Sequence, residues 1–545
     1  MFHNIFKTQI NSITVAAALI ALSSLASRLL GVFRDRILAS QFGAGQTLDI
    51  YYAAFRVPDL IFNLLVLGAL SAGFIPIFSS LINDFQCENK DSKEKNKEAW
   101  GLVNNVLNYL LIGVGALSLI GIVFALPLTR LITPGFSPAD QVATASLTRI
   151  MFLSPLLLGI SGIIGGVLQS FKRFVIYSVA PLFYNLGIIV GALWFVNWWG
   201  VAGLAWGVVL GAFLHLIIQV PSAQQLGFSY HYFIKWRDEN TLKIWRLMIP
   251  RTLSLAISQI NLVVITVLAS GLSSGSLTIF NLANNLQSFP IGIFGISFAI
   301  AAFPSLAAVA FDKEKITAHF SQTMRQILFF MVPATALIII LRAQIIRVVL
   351  GAGNFDWSDT ILTMNTLGFF ALSLFAQATI PLLVRVFYAR QNSTIPFYLG
   401  LASVIINVGL SLFLGQKMGV AGLALAYSIA NILNFIFLWI CLYETIGNLD
   451  IARILISVLK FTTGTVLAGV LAQLSKGWVE PFIDMTRFSG VFIQLLSAGT
   501  TFVLVYAAIC YLLKSEEFFG FFTSLMNRWP FRKVKIDDQG EARGL

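Results

Sequence analysis

Charged residues stand inside long apolar stretches near the start of this sequence, and their types suit recognition of a phosphorylated ligand. In the first two apolar stretches they are Arg28, Arg34, Asp35, Arg36, Asp49, Arg56 and Asp59. A charged side chain at the centre of a membrane costs at least about 2.5 kcal/mol on insertion scales, so such residues usually face a cavity or a partner. Guanidinium groups bind phosphate oxygens through paired hydrogen bonds. The pattern predicts an arginine-lined cavity that receives an anionic headgroup.

The alternative interpretation is that these charges pair along their own helix or reach the lipid headgroups. We favour that alternative for Arg36 and Asp59, and ligand binding for Arg28, which lies deepest in its apolar run. At about 100° per residue, Arg34 lies about 120° around the helix from Arg28. Both arginines can face one cavity only if the helix bends, and Gly31 is the expected place.

Amide side chains form two further polar stripes in apolar segments. They are Asn281, Asn284, Asn285 and Ser288, spaced i, i+3, i+4 and i+7, and Asn104, Asn105 and Asn108. Such stripes either line a hydrated cavity, with Asn284 and Asn285 as candidate substrate contacts, or form hydrogen bonds with neighbouring helices. The spacing leaves both interpretations open.

The composition indicates that these stretches belong to a membrane protein. Of 545 residues, 57% are hydrophobic and 11% are charged, whereas soluble proteins carry roughly 25% charged residues. This excludes a soluble enzyme, a disordered scaffold and a single anchor on a water-soluble domain. Because a spanning helix needs about 20 apolar residues, the segments predict an all-α polytopic membrane protein with about 14 transmembrane helices.

No catalytic residue, metal site or cofactor is expected. The sequence has no GxxxxGK[ST] nucleotide-binding loop, and Cys87, Cys441 and Cys510 lack metal-binding spacing. The four histidines are scattered along the chain. The net charge of +12 is explained by anionic lipid headgroups, so no nucleic-acid partner is expected.

Lysine and arginine are distributed unequally between alternate loops, which predicts the orientation. The loops on the N-terminal side and the tail contain Lys90, Lys93, Lys95, Lys97, Lys172, Arg173, Lys235, Arg237, Lys243, Arg246, Lys313, Lys315, Arg528, Arg532, Lys533 and Lys535. Since basic loops stay in the cytoplasm, both termini are predicted to be cytoplasmic. Residues 228–246 and 515–535 mix aromatic and basic residues and are expected to lie at the membrane surface.

An internal repeat divides the chain. Gly200-Val-Ala-Gly-Leu-Ala205 recurs as Gly419-Val-Ala-Gly-Leu-Ala424, and Asn185-Leu-Gly187 has a counterpart in Asn407-Val-Gly409. Each copy holds an even number of predicted helices, so both enter the membrane in the same direction, as in transporters with parallel repeats. We expect pseudo-symmetric six-helix lobes at 1–225 and 226–446 (the second led by an interfacial segment), two more helices at 447–514 and a cytoplasmic tail at 515–545. Two lobes around a cavity suit alternating access.

Several motifs resemble those of the MurJ (MviN) lipid II flippase family, in the multidrug/oligosaccharidyl-lipid/polysaccharide exporter superfamily. They cover most of residues 12–446 and are Ser27–Asp35, Phe42–Gly45 with Asp49, Phe55–Pro58, Gly68-Ala69, Thr133–Phe136, Leu168–Phe174, Phe289-Pro290 and Phe387–Gln391. The resemblance implies transport of undecaprenyl-pyrophosphate-linked peptidoglycan precursor from the inner to the outer leaflet of the bacterial plasma (inner) membrane. It also implies a lipid-tail groove on the last two helices and a cationic cavity that includes Arg28, Arg34, Asp49 and Arg56.

The sequence departs from the family pattern in two places. Where members usually have a basic pair and then Glu-Gly-Ala, this sequence has Phe62, Asn63 and Leu67. Where many have an Asp-Arg pair and a Glu, it has Asn284, Asn285 and Ser288. The second lobe therefore lacks the family's usual cavity arginine, which indicates a divergent member or an altered substrate.

The repeat, the arginines and the motifs together predict a lipid II flippase without enzymatic activity. Membrane lipids and other cell-wall synthesis proteins are its further expected partners. Three alternatives stay open: a flippase for lipid-linked O-antigen or exopolysaccharide, a drug exporter, and a non-transporting scaffold for wall synthesis. A polytopic glycosyltransferase is disfavoured because no sizeable soluble loop carries paired carboxylates.

Overall fold

The computed structural model describes residues 13–67, 73–86, 92–235 and 238–527, and the regular structure of those residues is helical throughout. The all-α polytopic architecture is confirmed: among these residues, ten helices are long and apolar enough to cross a membrane, or eleven if one bent pair forms a single span. The total of fourteen stays a prediction. Some predicted features lie outside the described residues, namely Gly68-Ala69, Lys90, Arg237, Arg528, Arg532, Lys533 and Lys535.

The first part of the chain forms helices α1 to α11. Their bounds are Ile13–Phe42 (α1), Gln46–Ile61 (α2), Ile75–Gln86 (α3), Ser92–Val123 (α4), Ala125–Ile132 (α5), Pro138–Met151 (α6), Leu153–Ser170 (α7), Phe174–Val190 (α8), Val196–Trp199 (α9), Ala202–Ile217 (α10) and Val220–Gln225 (α11).

The remaining helices are α12 to α22. Their bounds are Glu239–Ser270 (α12), Ser276–Pro290 (α13), Ser297–Ala308 (α14), Lys313–Val349 (α15), Trp357–Ala371 (α16), Leu374–Ala389 (α17), Thr394–Met418 (α18), Val420–Ile446 (α19), Ile451–Val479 (α20), Phe488–Leu512 (α21) and Glu516–Asn527 (α22). Wide π-helical turns extend three helices, over Phe62–Leu67 after α2, Gly191–Phe195 after α8 and Ile291–Ile296 after α13.

The repeated glycine motif has the same conformation in both copies. Gly200 follows α9 and Gly419 follows α18, with φ angles of 55° and 60° that glycine adopts without strain. The N–H groups of Gly203 and Gly422 donate to the carbonyls of Gly200 and Gly419, at 2.9 and 3.0 Å. A Cβ on Gly203 or Gly422 would lie 2.3 or 2.1 Å from backbone atoms that precede the turn. The repeat therefore encodes one tight helical hairpin twice.

The predicted surface segment 228–246 consists of two different structures. Asp238 caps α12 by accepting a hydrogen bond from the Thr241 N–H at 2.8 Å, which satisfies a donor that the first helical turn leaves free. Residues from Glu239 onward are therefore the start of a long helix, whereas 228–235 has no regular structure.

Three asparagines of α4 hold residues 229–235 in place, and we call them the asparagine clamp. Asn104 pairs with the Ser229 carbonyl (3.0 Å) and the His231 N–H (2.9 Å), Asn105 with the Lys235 N–H (2.9 Å), and Asn108 with the carbonyls of His231 (3.1 Å) and Phe233 (2.9 Å). Of the two interpretations of this stripe, the structure supports hydrogen bonding to a neighbouring segment.

The chain separates into two compact units. The larger contains the described residues up to Phe289 together with Ile345–Ser373 and Thr394–Asn434. Its core includes stacked aromatic rings, such as the Phe74–Phe78 pair with centroids 5.3 Å apart. The predicted lobe boundaries at residues 225 and 446 stay predictions.

The smaller unit contains Pro290–Gln344, Leu374–Ser393 and the described residues from Phe435 onward. Inside it the Tyr506 hydroxyl donates to the Phe329 carbonyl at 2.7 Å. The first turn of α22 is fixed by charge, because Arg325 forms ion pairs with Glu516 and the buried Glu517. α22 is thus tied to α15 at its first residues.

Candidate functional site

Two adjoining cavities within the larger unit contain the predicted arginines. The first, of about 510 Å³, is lined by Arg34 and Arg56, and we call it the Arg34 cavity. The second, of about 650 Å³, is lined by Arg28, and we call it the Arg28 cavity. Their shared wall consists of Phe62, Leu158, Pro181 and His215.

The helical phase of α1 explains this division. α1 runs unbroken through Gly31, so Arg28 and Arg34 face different cavities, as their angular separation requires. The two arginines thus line two adjoining cavities and not the single cavity that a bend at Gly31 would have allowed. Arg28 makes a long contact from Nη1 to the Ser288 carbonyl, at 3.4 Å.

Arg34 is held by an acidic and an amide partner. Its Nε and Nη2 donate to Asp35 Oδ1 at 3.0 and 2.7 Å, and its Nη1 donates to Asn185 Oδ1 at 3.1 Å. Asp35 is only 5% exposed, and its other oxygen accepts a hydrogen bond from Asn285 at 2.9 Å. Because a guanidinium has five N–H groups, two of those on Arg34 have no hydrogen-bond partner among the described residues.

Arg56 is held by neutral partners. Its Nε donates to Thr266 Oγ1 and its Nη2 to Asn281 Oδ1, both at 2.7 Å. Asp59 lines the same cavity and interacts electrostatically with Arg56, three residues earlier on α2. Arg56 therefore has N–H groups without a hydrogen-bond partner among the described residues, and Asp59 partly offsets its positive charge.

The predicted amides Asn284 and Asn285 also line the Arg34 cavity. Asn285 donates to Asp35, and Asn284 accepts a hydrogen bond from Gln287 at 3.0 Å. Four of the predicted substrate-binding residues thus meet in one cavity, namely Arg34, Arg56, Asn284 and Asn285. Arg28 lies in the adjoining cavity, and substrate contact by these residues stays a prediction.

Asp49 lies outside the residues that line the two cavities and caps α13. Its Oδ1 accepts hydrogen bonds from the Thr278 N–H (2.7 Å) and hydroxyl (2.6 Å), and its Oδ2 accepts one from the Gly275 N–H (2.7 Å). It is 2% exposed. A carboxylate suits this place because the first turn of a helix has unpaired N–H groups and the positive end of the helix dipole.

Sequence reasoning missed the aromatic hydroxyls of the Arg34 cavity, which belong to Tyr51, Tyr52 and Tyr184. The Tyr52 hydroxyl is buried and has no hydrogen-bond partner among the described residues. The sequence position of Tyr52 could have indicated that it lines the same cavity as Arg56, since it lies four residues before Arg56 and so on the same face of α2. His215 was set aside as a scattered histidine, although it interrupts an apolar helix.

The arrangement is suited to binding an anion rather than to breaking a bond. Guanidinium N–H groups, tyrosine hydroxyls and amides all converge on the Arg34 cavity, and charge-assisted hydrogen bonds are the strong ones in a site of low dielectric. Within the described part of the chain, no three potential metal ligands lie together. The residues fit a phosphoryl group next to polar substituents such as a sugar.

Comparisons with known proteins agree with this geometry. Residues 38–493 match the family model described as Lipid II flippase MurJ. A curated protein of Buchnera aphidicola subsp. Acyrthosiphon pisum (strain APS), named probable lipid II flippase MurJ, is 28% identical over 434 residues, which cover 78% of this chain and 83% of that protein.

Two solved structures are similar in fold. A lipid II flippase MurJ in an inward closed conformation has a TM-score of 0.73 at 22% identity, with 91% of this chain and 99% of that chain covered. A multidrug resistance MATE family transporter of the MOP superfamily, in an inward-facing conformation, has a TM-score of 0.64 at 15% identity, with 79% and 99% covered. These similarities support the predicted superfamily fold.

Proposed function

This chain belongs to the lipid II flippase MurJ family, and we propose that it moves lipid II from the inner to the outer leaflet of the bacterial inner membrane. The observation that carries the proposal is the presence of three arginines in two adjoining cavities among apolar helices. A lipid linked to undecaprenyl pyrophosphate presents a multiply charged group of the kind that guanidinium groups bind.

The local bonds of the arginines support a prepared binding site. Asp35 and Asn185 fix Arg34, and Thr266 and Asn281 fix Arg56. Side chains already held in place lose little conformational freedom when a ligand arrives, so more of the contact energy remains as affinity. Two free N–H groups on Arg34 and those on Arg56 would hold the pyrophosphate oxygens.

The second repeat lacks the family's usual cavity arginine, and the contacts of Asp35 are consistent with its absence. Asn285 stands where many family members have an arginine, and it donates to Asp35. Asp35 therefore has one cationic partner, Arg34, and the guanidinium groups of the Arg34 cavity come from α1 and α2. We propose transport by alternating access of the two repeats, with both chain termini in the cytoplasm.

A flipping assay tests the proposal. Purified protein in liposomes with fluorescent lipid II is followed by the fraction of lipid that an impermeant quencher reaches. Arg34→Ala and Arg56→Ala are each expected to slow flipping about tenfold or more, because a hydrogen bond to a charged group contributes roughly 1.5–3 kcal/mol. Arg149→Ala is the matched control, since Arg149 is exposed on α6 and donates to the Ile122 carbonyl.

Unchanged rates in both cavity variants would refute arginine-mediated transport. Replacing lipid II with a lipid-linked O-antigen unit distinguishes the neighbouring substrate class, which is expected to move poorly. Complementation of a MurJ-depleted strain separates the scaffold alternative, because a scaffold would tolerate Arg34→Ala and Arg56→Ala and still restore growth.

A further inference from the structure

His215 lies in the wall that the Arg34 cavity and the Arg28 cavity share. It belongs to α10, and Ser161 of α7 and Gln219 at the start of α11 form hydrogen bonds with it. These neighbours are 0% and 1% exposed. The bonds between the three residues determine which nitrogen of the imidazole carries its proton.

Gln219 donates the first hydrogen bond of this three-residue network. Its amide nitrogen lies 3.0 Å from the His215 carbonyl oxygen and 2.7 Å from Ser161 Oγ. A carbonyl oxygen can only accept, so the atom beside it must be the NH₂ group of the amide. The second N–H of that group then donates to Ser161 Oγ.

Ser161 links Gln219 to the imidazole ring of His215 through a second hydrogen bond. Its oxygen accepts from Gln219, so its own proton remains to donate. His215 Nδ1 is 2.7 Å away, whereas the His215 carbonyl, which already accepts from Gln219, is 3.1 Å away. The shorter distance favours donation to Nδ1, and a neutral imidazole that accepts at Nδ1 carries its hydrogen on Nε2.

We propose that His215 donates a hydrogen bond from Nε2 to a phosphoryl oxygen of the transported headgroup. This inference rests on the proposed transport of a pyrophosphate-linked lipid. The shared wall puts His215 between Arg28 on one side and Arg34 with Arg56 on the other, so an anionic oxygen at the boundary of the two cavities would lie beside this residue. Ser161 and Gln219 are positioning residues that select the donating tautomer.

Lipid binding to nanodisc-embedded protein tests the contact. The protein is titrated with undecaprenyl pyrophosphate and, separately, with lipid II. His215→Leu is expected to weaken the binding of both lipids about tenfold, the loss typical of a hydrogen bond to a charged group. His215→Gln, which keeps an N–H donor, is expected to retain part of the affinity.

A matched pair of serine variants tests the positioning role. Ser161→Ala is expected to weaken binding of both lipids severalfold. Ser170→Ala removes a hydroxyl from the same helix that donates to the Gly166 carbonyl at 3.0 Å and lies outside the cavity linings, so it is expected to leave binding unchanged.

The outcomes separate this inference from the proposed function. If His215→Leu binds both lipids like the wild type while Arg34→Ala binds them weakly, the inference is overturned and the transport proposal stands. A loss for lipid II alone also overturns it, because the contact would then be to the glycan. If the wild type binds neither lipid, the transport proposal fails, and the inference falls with it.

Nitrogen NMR of histidine-labelled protein gives a readout that a purely structural role would not change. The His215 signals, assigned by their loss in His215→Gln, are expected to show the proton on Nε2. Ser161→Ala should shift the ring toward the Nδ1-protonated form, and Ser170→Ala should not. A wild-type ring protonated at Nδ1 would overturn the inference.

Discussion

Individual charges inside the apolar helices have different functions. Arg34 and Arg56 keep N–H groups directed to a cavity, whereas Arg36 donates to the carbonyl oxygens of Val348 and Val349 at the end of α15. The last carbonyls of a helix lack partners and carry the negative end of its dipole, so a cation stabilises them. Arg36 thus contacts the end of another helix, which differs from the pairing along its own helix or the headgroup contact that we favoured for it.

Asp49→Asn is expected to lower the free energy of unfolding by about 1–2 kcal/mol. Asparagine replaces one carboxylate oxygen with an NH₂ group. That group would face a donor of Gly275 or Thr278 whose hydrogen bond the carboxylate now accepts. Unfolding by a graded series of SDS concentrations measures the change. The control is Asp140→Asn, where an exposed carboxylate accepts from Ser137 at 2.6 Å and a loss below about 0.5 kcal/mol is expected. Equal losses would contradict the capping role.

The sequence predicted those site residues that are unusual for their surroundings. Arg34 and Arg56 could be identified because a guanidinium in an apolar membrane helix is energetically costly and therefore indicates a cavity or a partner. Tyr52 and His215 could not, because neither type is rare in helices and their roles depend on neighbours from distant parts of the chain. The hydrogen-bond partner of the His215 ring is Ser161, 54 residues away. The sequence spacing does not predict that contact.

At the scale of helices, backbone contact between α8 and α10 depends on glycine. A Cβ on Gly187 would lie 2.2 Å from the Gly211 nitrogen, and one on Gly191 would lie 2.4 Å from the Gly207 Cα. Small residues allow membrane helices to approach closely, which strengthens their packing. At Gly409, the repeat counterpart of Gly187, no described atom beyond the adjacent turns of its own helix lies within 4 Å of such a Cβ.

This difference predicts opposite effects for the same substitution. Gly187→Ala is expected to reduce stability by about 1–3 kcal/mol, the cost typical of overpacking, since backbone atoms would have to move apart. Gly409→Ala is expected to be neutral or to stabilise by up to about 1 kcal/mol, because alanine favours helix more than glycine does. The midpoint of SDS-induced unfolding measures both. A large loss in Gly409→Ala would show that this position is packed.

The sequence predicts which positions correspond between the repeats, but not how each is packed. The Asn-x-Gly motifs are related by sequence, yet only local surroundings decide that Gly187 is crowded and Gly409 is open. The surface segment 228–246 shows the same limit. Its mixed composition could not reveal that Asp238 starts a helix or that the asparagine clamp holds 229–235.

For the molecule as a whole, composition was sufficient to predict the helical membrane architecture. Helices such as α20 and α21 meet the length and hydropathy of a membrane span, and a lipid environment requires backbone groups to be paired within the segment. α1 was predicted as the first apolar segment, although its second half contains Arg28, Arg34, Asp35 and Arg36.

The distribution of basic residues predicts the orientation of the chain in the membrane. In a variant with Cys87, Cys441 and Cys510 replaced, we introduce single cysteines at Lys315, which lies on a predicted cytoplasmic loop, and at Thr486, which lies on the opposite side. Both positions are exposed. An impermeant maleimide added to spheroplasts should label Thr486→Cys directly and Lys315→Cys only after permeabilisation. The reverse pattern would contradict cytoplasmic termini.

The π-helical turn at Ile291–Ile296 determines where the chain tolerates a change of length. In a regular helix such as α20, loss of one residue rotates every later side chain by about 100° and exchanges lipid-facing and buried positions. A π turn accommodates one residue more than an α turn. A single deletion inside Ile291–Ile296 would therefore restore ordinary helix and keep the later faces in phase, so a one-residue deletion is best tolerated there.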